Sequence, residues 1–177
     1  MKKVFLIMLV VLTFGSAAFA QELDLKQMPF PERTGYQMLA SREKEQVKDF
    51  ASRVKQKVNT INKNRLIIKD LQFRSNNQIR QIKRQIKELR NNPGTLDRNK
   101  IANINQLLKS INQNQQALES NREAMNKKRI VLRAAIKSRK PALFLQTLEE
   151  IILIQEKRIN ALNEMFADLN RLSNELR

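Results

Sequence analysis

The sequence predicts an all-α fold: an elongated antiparallel helical hairpin or coiled coil, completed by a third C-terminal helix, three long helices in all. Three observations predict it. Apolar residues recur every three or four positions through most of residues 47–136, and a 3.5-residue repeat held over several heptads is the pattern of a coiled-coil seam. Only 3 glycines stand among 177 residues, too few for many tight turns or a phosphate-cradling loop. The strong breakers past residue 38 are confined to Pro93-Gly94 and Pro141, so the helical stretches between them are long.

The elements follow in order. Residues 1–20, MKKVFLIMLVVLTFGSAAFA, read as a secretory signal peptide. Lys2 and Lys3 precede an apolar run from Val4 to Phe14, and Ala18-Phe19-Ala20 is a small-residue cleavage site. The apolar run is far short of the roughly 20 residues needed to cross a bilayer, so no transmembrane segment is expected after cleavage. Export to the periplasm, the cell surface or the outside is therefore expected. The chain has no cysteine, which removes disulfides, thiol catalysis and thiolate metal sites.

Residues 21–38, QELDLKQMPFPERTGYQM, lack a helical pattern, because the two prolines at 29 and 31 hold the chain extended. They read as an N-terminal arm ahead of an α-helical coiled-coil domain over 39–177. The first helix is placed at about 39–91. Its seam runs Val47, Ala51, Val54, Val58, Ile61, Arg65, Ile68, Gln72, Ser75, Ile79, Ile82, Ile86, Leu89, with ten of thirteen positions apolar. Asn91-Asn92-Pro93-Gly94-Thr95 turns the chain, and Thr95 with Asp97 can cap the second helix, about 96–139, and complement its dipole. There the seam resumes as Ile101, Ile104, Leu108, Ile111, Gln115, Leu118, Arg122, Met125, Arg129, Leu132, Ile136. Two long helices joined by so short a turn lie antiparallel. Polar seam positions cost stability but fix register or mark a third partner.

Pro141 stops or kinks the second helix. The third, about 142–176, is apolar on a wide face through Leu143, Phe144, Leu145, Leu148 and Ile151 to Ile154. It is also slightly acidic, with four basic and six acidic residues over 141–177, whereas 41–90 carries fifteen and five and 97–140 eleven and three. A wide apolar, acidic helix belongs against two basic ones, folded back in the same molecule or exchanged between protomers.

Function is read from charge and from what is missing. The chain has no histidine, which excludes histidine triads and histidine metal sites. Paired carboxylates such as Glu149 and Glu150 point to different sides of a helix, and no cofactor or enzymatic activity is expected. The formal charge is +17. Antiparallel arms bring Lys44, Lys48, Arg53, Lys55 and Lys57 to the same end as Lys127, Lys128, Arg133, Lys137, Arg139 and Lys140. These eleven form the candidate anionic-partner surface. Nucleic acid is disfavoured by export and by the lack of aromatics interleaved with the charges.

The expected partners are proteins or anionic envelope components: acidic lipid, lipopolysaccharide or cell-wall polymer. A homo-oligomer is expected as well. The general plan resembles small exported helical chaperones of the bacterial envelope and short helical-hairpin adhesins, a likeness of composition and architecture. It implies a binding protein or holdase-type chaperone for anionic or unfolded partners. The alternative is a structural or adhesive coiled coil that self-assembles. A solvated, purely solubilising face would carry the same charges.

Overall fold

A computed structural model of the chain describes residues 41–91 and 97–177. The expected signal peptide (1–20), the arm (21–38), the start of the first helix before residue 41 and the turn at 92–95 lie outside the described residues. The described residues form three helices: α1, Ser41–Asn91; α2, Arg98–Lys137; and α3, Pro141–Glu175. The described residues form an all-α, three-helix molecule. At 51 residues, α1 is about 75 Å long at 1.5 Å per residue, so the molecule is elongated.

Each end has a local cause. Asp97 caps α2, its carboxylate accepting the Lys100 backbone N–H at 2.7 Å, and this satisfies one of the donors left over in a first turn. The other end of α2 reverses over three residues. Arg139 has φ 51°, its N–H bonds to Ile136 O at 3.1 Å, and the Lys140 N–H reaches back to Ala135 O at 3.0 Å. This left-handed closing turn usually employs glycine, since a side chain there costs roughly 1 kcal/mol. Pro141 follows as the first residue of α3, where its missing N–H costs nothing.

At Pro141 the chain therefore folds back within the same molecule. The register is read from contacts along α3. With α2, Lys128 meets Glu150 at 2.7 Å, the Ser110 hydroxyl donates to Asp168 at 2.6 Å, and the Asn103 amide donates to Glu175 at 3.3 Å. This is one unbroken antiparallel register. With α1 the order is parallel: Lys57 meets Glu149 at 2.6 Å, and the Gln85 amide and Ser173 exchange hydrogen bonds at 3.1 and 3.0 Å. It follows that α1 and α2 are antiparallel, as the short turn required. Both arms lie close against α3 along its length, while their own backbones hardly approach each other.

Burial follows the seam. Val54, Ile61, Ile68, Ser75 and Ile82 of α1 come level with Leu132, Met125, Leu118, Ile111 and Ile104 of α2, and all ten are buried. Ala51, placed in the seam by spacing, is exposed. α3 contributes Leu148, Ile151, Leu162, Met165, Leu169, Leu172 and Leu176. Two apolar clusters result, one from Ile68 to Ile86 of α1 with its neighbours and one around Val54, Ile61, Met125, Leu132, Leu148 and Ile151. Between them lie buried Asn64, Gln155 and Arg158, a polar layer of the kind that fixes helix register at some cost in stability.

Candidate functional site

The charges of the arms are sorted by the direction they face relative to α3. In heptad terms, with Ala51 and Val58 at position a of α1 and Arg122 and Arg129 at position a of α2, the residue just before each a turns toward α3. Lys57 and Lys128 stand there. Both are matched, Lys57 by Glu149 and Lys128 by Glu150, so the two neighbouring carboxylates of α3 reach to opposite arms at one level of the bundle. Their divergence follows from the helix itself, since successive side chains are about 100° apart.

The other predicted cations are placed differently. Lys48, Lys55, Lys127, Arg133, Lys137, Arg139 and Lys140 are exposed, and none forms an ion pair among the described residues. Arg53 is exposed and paired along its own helix with Asp49. The hydrogen bond from Arg53 holds the Asp49 carboxyl below its ordinary range and raises the guanidinium in turn. Of Lys44 only the backbone belongs to the described residues. The structure thus brings the predicted cations to the end opposite the Asn91–Asp97 connection and divides them. Lys57 and Lys128 hold α3, Arg53 is matched locally, and the remaining seven look outward.

Three features of this end escaped the sequence reading. Asp49 stands four residues before Arg53, a spacing that marks a helical ion pair. Glu149 and Glu150 neutralise cations far away in sequence, which no local spacing reveals. Ile130 is 68% exposed on α2 between Lys127 and Arg133, outside the seam and therefore outside a search for core residues. Further along α1, Leu66 and Phe73 are also mostly exposed, one heptad apart on one side of the helix. Phe166 of α3 is covered instead, with the Arg74 guanidinium 4.4 Å from its ring centre.

Among the described residues no cluster of three carboxylate, histidine or cysteine side chains is arranged to hold a metal ion, and no helix is long and apolar enough to cross a membrane. Comparison with protein-family models, curated proteins and solved structures returns no match. Function must be argued from the surface itself.

Proposed function

We propose that this chain is an exported, non-enzymatic helical binding protein whose basic end engages anionic or unfolded partners of the cell envelope, in the manner of a holdase chaperone. One observation supports the reading most directly: the contrast between matched and unmatched cations at one end of the bundle. The inward Lys57 and Lys128 are neutralised by α3, whereas the outward Lys48, Lys55, Arg133 and Lys137 have no carboxylate among the described residues. A field of this kind draws anionic partners and raises their rate of encounter. The N-terminal apolar pattern of the sequence supports export, and the engagement of Glu149 and Glu150 with lysines supports a structural use for these carboxylates over a catalytic one.

A second reading, self-assembly as a structural or adhesive coiled coil and with it the homo-oligomer, draws support from Leu66 and Phe73. An exposed apolar pair one heptad apart is the start of a lateral helix contact. Sedimentation of the protein with and without a denatured outer-envelope protein separates the two. A stable complex of defined mass, weakened by salt, is the expected result. Growth in mass with concentration of the chain alone, without capture of the denatured protein, would replace the first reading by the second.

A further inference from the structure

We propose that the groove between α1 and α2, on the side away from α3, is the docking site of an acidic amphipathic helix from a partner protein, which would lie along the arms as a fourth helix. The inference rests on the anionic-partner reading above and names its site and its ligand. It begins from the registers. Lys57 and Lys128 turn toward α3 at one level, so the residues four places after position a, on the other flank of each arm, turn toward the opposite groove. There Lys55 of α1 comes level with Arg133 of α2, cation against cation, and both are exposed. One heptad earlier on α1, Lys48 comes level with the turn that carries Lys140. A paired coiled-coil interface sets opposite charges at such flanking positions, and here they are alike.

The consequence is visible in the packing. The arms lie close against α3 but hardly approach each other, and at this end like charges stand on one flank while complementary charges stand on the other. The groove is therefore electrostatically incomplete. α3 supplies the internal precedent for what completes it: an acidic helix with an apolar stripe, reaching both arms through carboxylates at a single level. An outer occupant of the same chemistry would place carboxylates one heptad apart, about 10 Å along its axis, against the rungs at Lys55–Arg133 and Lys48–Lys140. Its apolar residues would meet Ile130, which is 68% exposed beside Arg133. A groove between two helices takes a third helix along its length, and the carboxylates of such a helix can be set at the spacing of the two rungs.

The test uses the full chain and a synthetic peptide about three heptads long with glutamate flanking a leucine stripe. Phosphatidylglycerol vesicles and polyglutamate run beside it. The parent should bind the peptide more tightly than polyglutamate. Arg133→Glu should weaken peptide binding about tenfold and raise the Tm of the free protein, because it turns the Lys55 rung from repulsive to attractive. Lys55→Glu with Arg133→Glu should lose that gain in Tm and bind peptide most weakly. These opposite signs separate the groove from a merely structural role, and circular dichroism verifies folding.

Peptide binding undiminished in the double variant would overturn the groove as the site while leaving the broader reading standing. An unchanged Tm in Arg133→Glu would overturn the facing register on which the groove depends. Binding of vesicles without peptide would assign the cations to a membrane, and a dimer of the parent that Arg133→Glu dissociates would assign the groove to a second copy; either overturns the inference. A parent that binds no peptide, vesicle or denatured envelope protein would overturn both this inference and the proposed function.

Discussion

Gln155 shows what single residues do in this molecule. It stands in the apolar stripe of α3, only 5% exposed, and its amide donates to the Ile61 carbonyl of α1 at 3.3 Å. The other end of the same side chain, Oε1, has no hydrogen-bond partner, and a buried acceptor without one costs about 1–3 kcal/mol. Gln155 therefore lowers stability while tying α3 to one level of α1. Gln155→Leu should raise stability by about 1 kcal/mol, read as a higher urea midpoint. No gain would mean that Oε1 is already satisfied. The position was hidden from periodicity, since a glutamine between Ile151 and Leu162 reads as a gap in the pattern. Its burial depends on what α1 presents opposite.

At the scale of elements, the reversal after α2 is over-determined. Arg139 adopts a left-handed conformation, Pro141 begins α3, and the stripe from Leu148 to Leu176 is buried against both arms. Merging α2 and α3 into one rod would expose that whole stripe, several leucine-sized side chains at about 2 kcal/mol each. Removing the proline supplies nothing comparable. Pro141→Ala should therefore leave the sedimentation coefficient unchanged, and a longer, slower particle would show that the proline alone holds the turn. The breaker was legible in the sequence but the direction of the chain after it was not, because a kink and a reversal have the same local signature. The wide face of α3 was legible too, except at Leu153, which the run from Ile151 to Ile154 placed on it and which is 56% exposed. The purpose of that face is clear only once an arm is seen on each side, with Phe166 and Ser173 toward α1 and Asp168 and Glu175 toward α2.

For the whole molecule the governing fact is charge. The arms carry an excess of ten and of eight positive charges over 41–90 and 97–140, against an excess of two negative charges over 141–177. Two basic rods held side by side repel, and the few carboxylates of α3 offset this only along its own flanks. Added salt should stabilise the protein: between ~10 mM and ~500 mM sodium chloride, where the screening length falls from ~30 Å to a few Å, the Tm should rise. A Tm that falls with salt would mean that the ion pairs at Glu149 and Glu150 outweigh the repulsion between the arms. Salt should at the same time weaken capture of an anionic partner, so stability and binding move in opposite directions.

The sequence by itself determined the helical class, the antiparallel order of the arms, the seam residues other than Ala51 and the end at which the cations collect. Each of these follows from spacing along a helix or from a turn too short to allow another path. The tertiary structure alone decided that α3 returns between the arms, that Lys57 and Lys128 are neutralised while Lys55 and Arg133 are left facing outward, and that Asn64 and Leu71 join the buried set. The physical reason is that these outcomes depend on which flank of each helix meets the third. A heptad pattern specifies the stripe that must be buried, and only the position of the neighbouring helices selects the flank that is buried with it.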